Sequence, residues 1–422
     1  MSMLKQEQNE FITRTGPGTP MGNLFRCYWI PALLASELSE PDGPPVRVKL
    51  LSERLLAFRD SQGRLGLVDE FCAHRGVSLW FGRNEDCGLR CPYHGWKYDV
   101  NGQCVDVPSE PEESGYAMKI KLKSYPLVER GGILWTYLGP PERQPELPEF
   151  EFCVVRDEQR FVSKRLQETN WLQAMEGGID SSHSSWLHRG DFEHDPLMKG
   201  AGGNKYNFGD LAPVFEVVES SGGLFIGARR NAENDNYYWR ITPWVMPSYT
   251  AVPPRGDHPM HGHFWIPIDD ENCWVWSYDY HPRDAMRRGL GIHVKYVPGT
   301  FTPLANKHNN YLMDRVAQRE GRYFSGIEGI AMQDASLQES MGAICDRTKE
   351  NLVGTDNGII MARHRLMRAA KQLAEKGTLP PGVDVEHQKI RSAALLLPKD
   401  APFQQGAKEA LIAKLGQPQV TV

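Results

Sequence analysis

The chain has 422 residues, 40% of them hydrophobic and 24% charged, with a formal net charge of -5 and a pI near 6.2. That length suggests two to three domains and a core large enough to bury a cofactor. The acidic balance offers no basic footprint for nucleic acid or an anionic membrane surface, and no run nears the roughly 18 apolar residues of a membrane span.

The opening MSMLKQEQNE has neither an apolar signal core nor an Arg-rich amphipathic pattern, so the cytoplasm is the expected location. Residues 1–40 carry short helical patches broken by TGPGTPMG and Pro31. From about Pro45 the texture turns to short alternating strands: PVRVKLL, RLLAFRD and RLGLVDE, punctuated by the turn residues Asp60 to Gly63. Asn101-Gly102 is a second hairpin signal, and the strand texture runs on to ILWTYLG. GPPERQPELP, from Gly139 to Pro148, reads as a linker. A helical segment over 1–40, a β domain over 41–150 and a further domain over 151–422 follow.

Eight cysteines in this length fall well short of disulfide-scaffold density. Two of them stand in a cluster: Cys72-Ala-His74, sixteen residues, then Cys91-Pro-Tyr-His94. A clustered Cys/His set in a cytosolic chain points to metal or redox work, and two readings compete. Structural zinc accepts Cys₂His₂ but usually pairs Cys with Cys and His with His. A Rieske [2Fe–2S] cluster places two Cys on one iron and two His on the other, and one mixed pair from each loop supplies that. Arg75-Gly76 and Gly95-Trp96 follow the two histidines, and loop glycines let the backbone approach sulfur.

The second half mixes textures. Residues from Glu168 to His188 can form helix. The stretches VFEVVESSGGLFIGARR, NYYWRITPWVMP, HGHFWIPID and CWVWSYDYH read as antiparallel strands, and 330–345 and 358–376 as helices with apolar spacing near 3.6. Strands and helices do not alternate strictly, so the fold class is α+β.

Asp180, His183 and His188 follow one another in D-x₂-H-x₄-H. Asp180 and His183 share a face if helix persists. Two imidazoles and one carboxylate make the facial triad of non-haem Fe(II) oxygenases, which leaves positions open for O₂. The carboxylate comes from elsewhere, and Glu328, Asp334, Glu339 and Asp346 are candidates. Asp334 sits in the mostly apolar GIAMQDASLQESMG, where an acid is costly unless paired or metal-bound. That favours Asp334 and leaves Glu339 open. Asn170, at the head of the same segment as Asp180, is a further candidate catalytic side chain.

These motifs resemble those of Rieske non-haem iron aromatic-ring-hydroxylating oxygenases, in the phthalate 4,5-dioxygenase-like type of oxygenase component (alpha subunit). The likeness is carried by GPGTPMGNLFRCYWIPAL, the two Cys/His loops, EGGIDSSHSSWLH and AMQDASLQESMGAICDRTKENLVGTDNGII, across about residues 10–375. The resemblance implies an N-terminal all-β Rieske domain and a catalytic domain with an antiparallel sheet flanked by helices (helix-grip-like), on which residues 1–40 pack. Cys72 and Cys91 would hold one cluster iron, and His74 and His94 the other. His183, His188 and Asp334 would hold a mononuclear Fe(II). Asp180 would bridge the two centres, bonding His94 across a subunit interface and His183 within its own subunit, in a homotrimer or stacked trimers. Residues beyond about 376 match nothing in the resemblance.

The implied reaction is cis-dihydroxylation of a small aromatic acid such as phthalate or a substituted benzoate, with O₂. The chain has neither a G-x-G-x-x-G fingerprint after a strand nor a second ferredoxin-like cysteine set. NAD(P)H electrons would therefore arrive through a separate flavin/iron–sulfur reductase. A carboxylate substrate calls for a fixed guanidinium. Arg240 is the first candidate, with Arg229 and Arg230 as alternatives, and Trp171, Trp186, Phe225, Trp239 and Trp244 are candidates for an aromatic lining. Mono-oxygenation by O-demethylation of an aryl ether is the alternative reaction. An electron-transfer Rieske protein is the alternative of another class.

Overall fold

The computed structural model describes residues 4–287 and 294–422. Residues group into two units, Phe25–Pro145 and a second formed by the segment ahead of Phe25 with Glu146–Val422. Among the described residues no helix is long and apolar enough to cross a membrane.

The Phe25–Pro145 unit is built from three small antiparallel sheets. Turn chemistry sets their registers. Asp60 Oδ1 accepts from the backbone N–H groups of Gln62 and Arg64, closing the hairpin between Glu53–Arg59 and Leu65–Asp69. Asp99 does the same for Asn101 and Gln103, and the strands flanking Asn101-Gly102 pair as the sequence suggests. Trp29–Leu34 pairs with Ile133–Tyr137. Residues from Phe25 onward therefore fold with this unit, earlier than the start at 41 read from the sequence. An apolar strand finds its partner wherever the ladder is open, and local texture does not report that.

The other unit holds an eight-stranded antiparallel sheet and four main helices. Helix α1 is Gln6–Thr13, α2 Trp171–Ile179, α3 Ile330–Ser340 and α4 Asn357–Lys376. The strands are β1 Arg160–Gln167, β2 Val214–Glu219, β3 Gly223–Asn231, β4 Asn236–Val245, β5 Tyr249–Val252, β6 Met260–Pro267, β7 Cys273–Tyr280 and β8 Ala393–Pro398. Their order is β1-β7-β6-β5-β4-β3-β2, with β8 also on β4. The α+β architecture is as the sequence indicates. Strands β1, β5 and β8 lie outside the stretches that read as strand in the sequence, and β8 falls in the segment beyond 376 that matches nothing in the resemblance.

The side-chain period of two divides this sheet. Phe264 packs with Phe150, Phe152, Tyr249 and Tyr278. Its neighbours His263 and Trp265, with His261, face a cavity on the opposite side. Helix α2 covers that side at short range. A Cβ on Gly177 would stand 2.2 Å from Gln338 Nε2, and one on Gly178 2.1 Å from the Trp265 ring. The glycine pair thus permits the approach of α2 to both α3 and β6.

Candidate metal centres and substrate cavity

The two Cys/His loops share one backbone design. Cys72 N–H donates to Val77 O and Gly76 N–H to Cys72 O; Cys91 N–H donates to Trp96 O and Gly95 N–H to Cys91 O. Gly76 and Gly95 both adopt left-handed φ, +74° and +77°, which closes each turn without a Cβ penalty. Cys72 and Cys91 are buried, whereas His74 and His94 are exposed. The two imidazoles stand edge-to-face at 4.5 Å, and His74 stacks on Trp96 at 4.6 Å.

Among the described residues, His183, His188 and Asp334 bring three ligand atoms within 4.8 Å of one another. The Cys/His set divides into two buried thiols and two exposed imidazoles, which fits the two unlike irons of a Rieske cluster better than the Cys-with-Cys, His-with-His pairing usual for zinc. The Tyr98 hydroxyl lies 3.2 Å from Cys72 Sγ. Burial raises the tyrosine pKa, so it stays a hydrogen-bond donor to a metal-bound thiolate.

The mononuclear site forms where α2 ends. Asp180 is its C-cap in extended conformation, and His183 begins a short 3₁₀ turn. The helix does not continue to His188 as the sequence suggested. Asp180 Oδ1 accepts from Ser182 N–H at 2.7 Å and Ser182 Oγ at 2.5 Å, an alternative backbone partner that ends helix. His183 is nonetheless held, because Asp180 Oδ2 faces its Nδ1 at 3.3 Å. His188 Nδ1 lies 2.7 Å from Gln333 Oε1, and Gln333 Nε2 donates to Asp191 Oδ2 and Ile327 O. Both imidazoles therefore present Nε2 to the same point. The two Nε2 atoms are 3.1 Å apart, and Asp334 Oδ1 lies 3.6 Å from one and 3.1 Å from the other.

Burial opposes charge on His183, but Asp180 and Asp334 overcome it and push its pKa up to about 9. Asp334 is held below the usual carboxylate range by His188, against its own burial. A polar triad this concentrated suits a divalent cation, which displaces the proton. Two neutral imidazoles and one carboxylate are the donor set of a non-haem iron site.

Tertiary structure separates Asp334 from its rivals. Glu339 accepts from Glu168 N–H and Tyr311 Oη. Asp346 pairs with Lys349, and Glu328 and Asp346 are exposed. Asn170 has a different role from the catalytic one expected. It caps α2, accepting from Leu172 N–H and donating to Thr13 O and Asp270 O, so its amide is fully engaged away from the cavity. Gln333 was missed; its only sequence signal is that it precedes Asp334.

A cavity of about 350 Å³ opens beside the triad, lined by His183, His188, Asp334, Arg240, Arg255, His261 and Trp265 among others. None of the five aromatics suggested for its lining is there. Trp171 and Trp244 are buried elsewhere, Trp186 is half exposed, and Trp239 and Phe225 belong to a separate cluster with Phe403. Phe192 and Trp265 supply the rings instead. Strand alternation also sorts the arginines: Arg229 points away and pairs with Glu216 at 3.0 Å, while Arg240 faces the cavity.

Residues 28–126 match the Rieske [2Fe-2S] domain model, and residues 136–413 match the LigXa C-terminal domain-like model. The chain is 37% identical to the 3-chlorobenzoate-3,4-dioxygenase oxygenase subunit of Comamonas testosteroni, over 97% of this chain and 99% of that one. The chain belongs to the Rieske non-haem iron aromatic-ring-hydroxylating oxygenases. It is 35% identical to the phthalate 4,5-dioxygenase oxygenase subunit of Pseudomonas putida, over 95% and 94% of the two chains. The 5,5'-dehydrodivanillate O-demethylase oxygenase subunit of a Sphingobium species is 32% identical over 88% and 82%. The solved structure of dicamba monooxygenase bound to dicamba shares the fold, with a TM-score of 0.57 and 18% identity over 83% of this chain and 99% of that one. This Rieske oxygenase is thus a terminal oxygenase, using O₂ and externally supplied electrons on an aromatic substrate.

Proposed function

We propose that this oxygenase cis-dihydroxylates an aromatic carboxylate, phthalate or a substituted benzoate, with Arg240 as the carboxylate anchor. One observation carries the reading. Arg240 is 5% exposed and lines the metal-side cavity, and its Nε and Nη1 have no hydrogen-bond partner among the described residues. A buried guanidinium with two unspent nitrogens, its Nη2 already donating to Pro253 O, calls for an acidic partner, which a substrate carboxylate supplies.

When bound, the cluster and the mononuclear iron supply single-electron transfer and dioxygen activation. The chain's own residues do the rest. Cys72, Cys91, His74 and His94 hold the cluster, with the imidazoles at the surface where electrons enter and leave. His183, His188 and Asp334 hold the iron. Asp180 and Gln333 fix the two imidazole tautomers, as partners beyond the ligands do in metal sites generally. Asp180 also bridges to His94 of a neighbouring subunit in a homotrimer or stacked trimers. Electrons come from NAD(P)H through a separate flavin/iron–sulfur reductase, and the chain works in the cytoplasm. The Phe25–Pro145 unit carries the cluster, and the segment ahead of Phe25 with Glu146–Val422 carries the mononuclear iron.

Turnover of phthalates, benzoates and methoxybenzoates with a surrogate reductase, with products identified by mass, tests the reading. Dihydrodiol products are expected, and formaldehyde release would instead mark the O-demethylase alternative. Arg240→Ala should raise KM for the acid by about 10- to 100-fold, the scale of one charge-assisted contact, with both iron sites still loaded. An unchanged KM for every acid would remove Arg240 from the site.

A further inference from the structure

Arg240 is not alone. Period-two alternation puts Arg230 of β3 on the same sheet face as Arg240, in register with Tyr238 of β4, and the loop between β5 and β6 adds Arg255. The three are 1%, 5% and 6% exposed. Every hydrogen bond they make to the described residues goes to a neutral oxygen. Arg230 donates to Asp210 O and Ser185 Oγ, Arg240 to Pro253 O, and Arg255 to Asn204 Oδ1. Among the described residues each retains at least one guanidinium N–H nitrogen without a partner: Arg230 Nη1, Arg240 Nε and Nη1, and Arg255 Nη2. Among the described residues no carboxylate stands within ion-pair distance of any of them. Burial, then repulsion from Arg240, brings Arg230 down to about 10 and Arg255 well below the usual arginine range.

Fully buried arginines are rare unless paired, and uncompensated buried charge is costly. Arg230 does not line the cavity, but Arg240 and Arg255 both do. The Arg255 guanidinium carbon also sits 3.9 Å from the centroid of the Phe192 ring, a cation–π contact that helps hold it in place. A single carboxylate satisfies one guanidinium edge and leaves the second open.

We propose that Arg255 forms a second anion subsite beside Arg240, so that the favoured substrate is an aromatic ring bearing two acidic groups. The proposal rests on the reading of Arg240 as an anchor and narrows it. It also gives the tail a role as a positioning segment. Gln419 Nε2 donates to His258 O and Thr421 Oγ1 to Pro254 O, on either side of Arg255. Val422 O accepts from Gly203 N–H, beside Asn204, and Val420 O accepts from Ala394 N–H of β8. Residues 419–422 therefore tie down the Arg255 loop and the backbone next to Asn204, the residue that Arg255 bonds.

Isothermal titration of the iron-loaded, oxidised protein with benzoate and the three benzenedicarboxylates tests this. At least one dicarboxylate should bind about 10- to 100-fold tighter than benzoate, the worth of one further charge-assisted contact. Arg255→Gln should erase that preference and Arg255→Lys should retain part of it; removal of residues 419–422 should reduce it in the titration and, in turnover with a surrogate reductase, should raise KM for the dicarboxylate without lowering kcat. Wild-type protein that holds benzoate as tightly as every dicarboxylate overturns the second subsite and leaves the Arg240 anchor standing. So does an Arg255→Gln protein with the wild-type preference. Absence of binding by all four acids overturns both readings.

Discussion

Single atoms decide the chemistry of both metal sites. At the mononuclear site, each imidazole has one nitrogen committed, His183 to Asp180 and His188 to Gln333, and one left for metal. Asp334→Ala should cost the mononuclear iron while the visible absorbance of the cluster persists; metal analysis would show iron falling from three to two per chain. Iron at three per chain in this variant would assign the carboxylate ligand elsewhere. At the cluster, the Tyr98 hydroxyl stands 3.2 Å from Cys72 Sγ and donates to it once that sulfur is an iron-bound thiolate. Hydrogen bonds to cluster sulfurs raise the potential. A bond worth about 1 kcal/mol corresponds to roughly 40 mV for one electron. Tyr98→Phe should therefore lower the midpoint by about that much in a spectroelectrochemical titration. A rise, or no change, would mean the hydroxyl does not donate. Residue identity was legible for the Cys and His ligands, since the chain has only eight Cys and 13 His and the ligands stand close together in the sequence. It was not legible for Asn170 or Gln333, because an amide's role depends on which neighbours its two ends meet.

At the level of elements, the site depends on α2, whose end delivers Asp180 and His183. That helix is anchored by Glu176, buried between Arg347 and Arg363 at 3.0 and 2.7 Å. Burial pushes the Glu176 pKa up, but the two guanidinium groups overcome it, and the carboxyl titrates below its ordinary value. A folded-state pKa below the unfolded one gives stability that is complete above the ordinary carboxyl range. It is lost as pH falls below about 4.3 toward the folded value. Glu176→Gln should cost roughly 3 kcal/mol, because it leaves the buried Arg347 without an acid, while Arg363 keeps its pair with Glu350. Urea unfolding followed by tryptophan fluorescence should show a shallower acid dependence in the variant. Equal acid slopes in the two proteins would refute the linkage. The hairpins at Asp60–Gly63 and Asn101–Gly102 were visible in the sequence because turn residues act within a few positions. The extent of α2 was overestimated, because its end is set by Asp180 and Ser182 competing for backbone groups.

For the whole molecule, the mononuclear site joins segments more than 140 residues apart, from the end of α2 to α3. A cation there binds the folded chain and not the unfolded one, so Fe(II) should raise the melting temperature of chelator-treated protein in a concentration-dependent way. His183→Ala should abolish that rise, and an unaltered rise in the variant would place the stabilising cation at another site. The sequence by itself determined the α+β class, the two cluster loops, the D-x₂-H-x₄-H ligands and the family, because short-range spacing and turn chemistry survive without a fold. Tertiary structure alone decided the third ligand. Asp334, Glu339 and Asp346 are similar acids on one stretch of chain, and only packing shows which one meets the imidazoles. It likewise decided which arginines face the cavity and which aromatics line it. A strand's alternation says that neighbours diverge, but the face that is covered depends on helices and a tail brought in from far along the chain.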